Sequence, residues 1–266
     1  MTDLRGGGHD RLPYPRAARF VSRTASTTSR LLDALERVTR LNAARSANDA
    51  VARALERLGQ WQARRLRHTY ADLAADSRYC AAIRFFESEL YGGGDFSQRD
   101  AELARVVPLM VRMLPETVIA TIADAVELNA LSHELDASLV GHLASTDGAL
   151  TVPAYCNAYR AMGCRAERER QIALIADVGG ALDGHVRRPL VRGALAMMRK
   201  PAHLAGFGML HAFLQRGFDA FRAMRGARDF LDTVVAREMA LMQRILAGET
   251  APFPDPLSGF ADARPG

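Results

Sequence analysis

Along most of this chain an apolar side chain returns at every third or fourth position, and strictly alternating patterns are rare. A return of that length lines one face of a helix at 3.6 residues per turn, whereas a half-buried strand needs a return of two. Leu31, Leu35, Val38 and Leu41 form one such stripe, and Val51, Leu55, Leu58 and Trp61 a second. Tyr79, Ile83, Phe86 and Leu90 form a third. The expected fold is therefore all-α, an irregular multi-helix bundle of about nine to eleven helices with a long central helix.

Punctuation residues place the helix ends. Ser46 or Asn48 can accept a bond from the orphan amides of the second helix, and Ser97, with Asp100 three residues on, resembles another N-cap. Gly92, Gly93 and Gly94 end the third stripe, and Pro108 should kink the helix that follows. Pro115 suits a first turn, and beyond it 116–143 is free of proline, enough for a central rod of roughly 45 Å. Residues 145–150 break it. Thr151 with Pro153 reopens helix, Gly163 stops it and Gly184 closes the next unit. Helical spacing continues over 186–199, 202–224 and 227–246, with Gly217 as a candidate bend. The expected organisation is a disordered basic leader at 1–28, one helical domain at 29–247 and a loose Pro-rich tail at 248–266.

Composition narrows the class. With 48% apolar and 24% charged residues the chain is globular, and no apolar run reaches the ~18 residues of a membrane helix. The N-terminus lacks the apolar core of a secretory signal. Residues 11–30 have the Arg, Ser and Thr bias of a transit peptide, yet Gly6, Gly7, Gly8, Pro13 and Pro15 oppose an amphipathic helix there. Cys80, Cys156 and Cys164 make no Cys-x-x-Cys pair and are odd in number, so a reduced, cytoplasmic setting is expected. Residues 1–70 carry fourteen Arg against six acids, while the rest of the chain carries an excess of three acids. That asymmetry allows weak nucleic-acid binding through the basic quarter, although no recognition motif accompanies it and Lys200 is the only lysine, as a coding bias toward Arg would leave it.

Two constellations could carry chemistry. On the long helix Asp124, Glu127, Glu134, Ser138 and His142 fall in one sector, so Glu127, Glu134 and His142 are candidate metal ligands. The Glu-x-x-His spacing of helical di-metal sites is absent, and Ala137 breaks any zinc-protease pattern after His133 and Glu134, so a solvated face is the competing expectation. His203 and His211 stand among Gly206, Phe207, Gly208, Phe213 and Phe218, where a flat ligand or a haem could approach between the long helix and the 203–218 helix. On one helix, residues eight apart sit about 80° around the axis, which suits joint ligation poorly. Glu238, after Arg237 and near Asp229 and Asp232, reads as a helix surface, although an inward Glu238 would need a buried Arg partner. Neither Cys156 nor Cys164 has a base beside it, and the Gly92–Gly94 loop lacks the Gly-Lys-Ser/Thr ending of a phosphate loop.

Phe85-Phe86-Glu87-Ser88-Glu89-Leu90-Tyr91, followed by Gly92 and by 95–100 (Asp-Phe-Ser-Gln-Arg-Asp), resembles the signature of an uncharacterised bacterial family named for its Phe-Phe-Leu-Glu-Glu-Leu-Tyr motif, a domain of unknown function. Phe85, Phe86, Glu89, Leu90 and Tyr91 agree with that motif, while Glu87 and Ser88 depart from it. The resemblance implies a helical fold and a bacterial source, and brings no activity, cofactor or catalytic residue. The sequence thus favours a non-enzymatic helical interaction protein that binds a protein partner or its own copy. The alternative is a small-ligand, haem or metal-binding helical protein or enzyme.

Overall fold

A computed structural model describes residues 16–89, 96–143 and 149–257, with side chains from residue 27 onward. These residues form twelve helices and no strand. The bundle is all-α as expected, with slightly more helices than the periodicity suggests. The helices are α1 (Arg16–Ser46), α2 (Asp49–Thr69), α3 (Ala71–Ala75), α4 (Cys80–Glu89), α5 (Ser97–Met113) and α6 (Glu116–His142). There follow α7 (Val152–Ala161), α8 (Arg165–Val186), α9 (Pro189–Met197), α10 (Arg199–Leu204), α11 (Gly208–Ala223) and α12 (Arg228–Leu246).

The long helix α6 is the post around which the others stand: α1, α8, α2, α7 and α5 all pack on it. Four apolar clusters hold the described residues together, the smallest joining Leu131 and Leu135 of α6 to Leu174 of α8. Leu31, Leu35 and Val38 of α1 meet Val107 of α5 and Ile119, Ala123 and Val126 of α6. At the other end of α6, Leu139 and Val140 join Leu58 and Trp61 of α2, Tyr155 and Cys156 of α7, and Met242 and Ile245 of α12. A third cluster holds Tyr70, Tyr79, Ile83, Phe221, Met224 and Phe230, where α4, α11 and α12 converge.

Several boundaries obey the signals in the sequence. Asn48 caps α2, its side-chain oxygen accepting from the amides of Ala50 and Val51 at 3.1 and 3.2 Å. Thr151 caps α7 through Ala154 N, and Gly163 ends that unit with φ +65. Other expectations are corrected. α1 already begins at Arg16, directly after Pro15, rather than near Ser29. Ser97 is the first residue of α5 and not its cap. Helix α8 runs through Gly184 to Val186. The stretch read as one helix over 202–224 is broken: Gly206 takes φ +75, a backbone open to glycine at no steric cost, and separates α10 from α11. Gly217 does not bend α11; it lets the Phe85 ring approach, since a Cβ there would lie 3.1 Å from Phe85 Cζ.

The Pro-rich tail is also not loose over its described part. Pro252 and Pro256 are buried, and Phe253 sets its ring edge-on to Trp61 at 5.8 Å and to Tyr155 at 6.1 Å. The tail thereby closes the end of the α2, α7 and α12 cluster.

Candidate functional site

The acidic sector of α6 is the flank of a helix contact and not a solvated stripe. Arg30 of α1 donates to Asp124 at 2.6 Å and to Glu127 at 2.8 Å, Arg170 of α8 donates to Glu127 at 3.0 Å, and Arg37 forks onto Glu134. Burial would raise the Glu127 carboxyl, but the two guanidinium groups outweigh it and hold the group below its ordinary range. Its lone pairs are thus engaged by cations. His142 is exposed and directs Nδ1 to the carbonyl of Ser138, one turn back, at 2.8 Å. Among the described residues no three His, Cys, Asp or Glu side chains converge as metal ligands would.

His203 and His211 meet in a way their spacing on one helix would not allow. The break at Gly206 folds α10 against α11 and brings the two rings to 6.4 Å. His211 is buried, with Nε2 2.8 Å from the carbonyl of Leu195, so this nitrogen acts as a donor that ties α9 to α11. An axial haem ligand would need that same nitrogen free. Helix α11 packs on α4, α5, α8 and α10 rather than on α6, and the cleft beside it, about 350 Å³, opens toward α9 between Arg192, Leu195, Gln215 and Asp219.

The motif residues build a joint. Phe85 packs on Phe213 of α11 at 5.5 Å, and Phe86 stacks parallel to Phe230 of α12 at 5.8 Å. Phe85 thus belongs to the inward face with Ile83, where the stripe placed only Phe86. Glu89 takes a forked pair from Arg216 at 2.8 and 3.0 Å, and its carbonyl accepts from Arg99. The Arg99 guanidinium lies over the rings of Phe96 and Phe213, each at 4.6 Å, and holds Asp100. Glu102, 2% exposed, accepts from the amide of Leu210 at 2.8 Å and so supplies the carboxylate that the first turn of α11 lacks. Leu90 and Tyr91 lie outside the described residues.

A polar core that the sequence reading touched only at Glu238 sits where α2, α6, α7, α8 and α12 meet. The buried Arg partner that an inward Glu238 requires is Arg65, at 2.8 and 3.2 Å, and the Tyr70 hydroxyl donates to the same carboxylate at 2.7 Å. Burial opposes the charge on Glu238; Arg65 and Tyr70 overcome it and keep the carboxyl below its ordinary value. Beside it Gln62 donates to Asp136 at 3.0 Å. Burial pushes the Asp136 carboxyl up and the neighbouring His133 imidazole down, so both favour their neutral forms. Arg168 lies over the Tyr159 ring at 4.7 Å. Two of its nitrogens, Nε and Nη2, are buried without a protein acceptor. Burial pushes the Cys156 thiol up to about 11, which favours its protonated form.

The remaining feature is a surface. Helix α9 buries none of its residues although it is largely apolar. Leu190 is 88% exposed and Met197 77%, and Leu204 at the end of α10 is 90% exposed, with Met198 and Met209 half out. Residues 184–218 contain no acid at all and six cations, a run of 35 residues that is visible in the sequence and marks this face. By contrast, Arg30, Arg37, Arg65 and Arg67 of the basic quarter are spent on acids beyond residue 70.

Residues 41–252 match the family described as a domain of unknown function, DUF8198. The chain belongs to the DUF8198 family. No curated protein and no solved structure matches it. The DUF8198 unit takes in the motif joint, the polar core and the α9–α10 face together, and begins inside α1.

Proposed function

We propose that this DUF8198 chain is a non-enzymatic interaction protein whose working surface is the α9–α10 face. One observation carries the reading: α9 buries no residue to the depth of the core, and Leu190 and Met197 along its outer edge stay in solvent, so that apolar edge is not used for folding. Residence in the cytoplasm belongs to the same reading and is supported by three free thiols and by the lack, among the described residues, of a helix long and apolar enough to cross a membrane. Membership of the bacterial family with the Phe-Phe-Leu-Glu-Glu-Leu-Tyr motif is likewise part of it, supported by Phe85, Phe86 and Glu89 at one structural joint.

The test is a Leu190→Ser, Met197→Ser, Leu204→Ser variant compared with the wild type for thermal stability and for binding of an anionic apolar dye. The expected result is an unchanged melting temperature with dye binding lost. A fall of several degrees would show that these side chains are core in solution, and unchanged dye binding would show that the face is not the apolar surface in use.

The alternative, a ligand carrier, draws support from the 6.4 Å approach of His203 and His211. It predicts stabilisation by a transition metal that a His203→Ala variant abolishes. If the metal leaves the melting temperature unchanged, that alternative falls.

A further inference from the structure

Resting on the α9–α10 face as the working surface, we propose that its partner is an anionic lipid surface, on which α9 and α10 lie without crossing. The apolar edge points outward: Leu190 and Met197, seven residues apart, fall within about 20° around the helix, while Arg192 falls near the opposite side. Arg192 lines the cleft toward α11, across from Asp219, which sets Leu190 and Met197 away from the body of the protein. The partly covered residues of α9 are Val191 and Leu195, while Leu190 and Met197 lie in solvent, so this outer apolar edge calls for an apolar medium outside.

Charge selects the medium. Arg187 and Arg188 precede the apolar edge and Arg199 and Lys200 follow it, so cations bracket it as they do in helices that float at a headgroup boundary. Among the described residues Arg188, Arg192, Arg199 and Lys200 make no ion pair, whereas Arg187 is held by Asp183 and Arg216 by Glu89. A second copy of this face is disfavoured, because it would set an acid-free cationic patch against itself. A helical protein partner would need an apolar groove, whereas Leu190, Met197 and Leu204 are exposed outside the α9–α11 cleft, whose lining includes Arg192, Gln215, Asp219 and Arg222. The three side chains can enter the acyl boundary while the flanking Arg and Lys reach phosphate and carboxylate headgroups.

The experiment is flotation of the intact chain with phosphatidylcholine vesicles, with and without about 30% phosphatidylserine. Binding is expected on the anionic vesicles and at least about tenfold weaker on the neutral ones. An Arg188→Gln, Arg199→Gln, Lys200→Gln variant should lose about a hundredfold. The Leu190→Ser, Met197→Ser, Leu204→Ser variant should lose at least as much. Raising salt from about 0.1 M to about 1 M shortens the screening length from about 10 Å to about 3 Å and should release the protein in part. Equal binding to neutral and anionic vesicles overturns the proposal, as does binding that survives both variants. No vesicle binding together with salt-sensitive binding of polyglutamate overturns it in favour of an acidic protein partner. If vesicles are not bound and the serine variant still melts with the wild type and loses the dye, the lipid falls while the docking face stands.

Discussion

Arg65 and Glu238 are the pair on which the interior depends most, because both side chains are largely shielded, at 7% and 21% exposure. Glu238→Ala leaves the Arg65 charge buried without its partner and should cost about 3 kcal/mol in a denaturant melt. Replacing both residues by Met should recover most of that loss, since the desolvation cost of both charges is removed together. Asp136 carries the opposite sign. Its folded pKa is raised above 3.8 by burial, so the stability linked to it is complete below that value and is lost as pH rises through the folded value. Asp136→Asn should therefore stabilise the protein at pH 7 and lose its advantage as the pH falls toward 3.8. Glu238 behaves conversely: its folded pKa lies below 4.5, so its contribution is present above that value and is lost on further acidification. A stability profile against pH for wild type and both variants checks the two signs.

Helices here owe their placement to a few contacts that sequence spacing does not show. Phe85 anchors α4 against α11 and leaves no room for a side chain at Gly217, so Phe85→Ala should cost about 3 kcal/mol through lost burial and a cavity. Helix α9 lies at the other extreme. It hangs on neighbours α8 and α10 and on the bond from His211 to Leu195, with no core residue of its own. Its amides should exchange with solvent faster than those of α6 or α12, and His211→Ala should speed α9 alone; exchange that slows to the rate of α6 would contradict the docking-face assignment.

Across the molecule, closure depends on a segment with no helix. The single tryptophan, Trp61, is covered by Phe253 of the tail. Removing residues 249–266 should shift Trp61 emission to the red and lower stability by about 2 kcal/mol. An unshifted spectrum would mean that Phe253 does not cover the ring in solution. The charge asymmetry along the chain also resolves at this level: arginines of the first quarter meet acids of α4, α6 and α12, so what looks like an attraction for phosphate is in part an attraction between two halves of one fold.

Fold class, cap positions such as Asn48 and Thr151, and the stop at Gly163 were legible in the chain because each follows from neighbours within a turn or two, where spacing and local hydrogen bonding govern. The 35-residue acid-free run was equally legible, and it was its burial, not its composition, that was hidden. Which polar residues turn inward was not legible: nothing in the spacing sets Asp136 and Arg168 apart until α2, α7, α8 and α12 close around them. The same holds for His203 and His211, which one φ at Gly206 brings together, and for Glu127, whose partners lie 97 and 43 residues away. Pairing across such distances depends on how rods cross, and side-chain periodicity along each rod carries no record of the crossing.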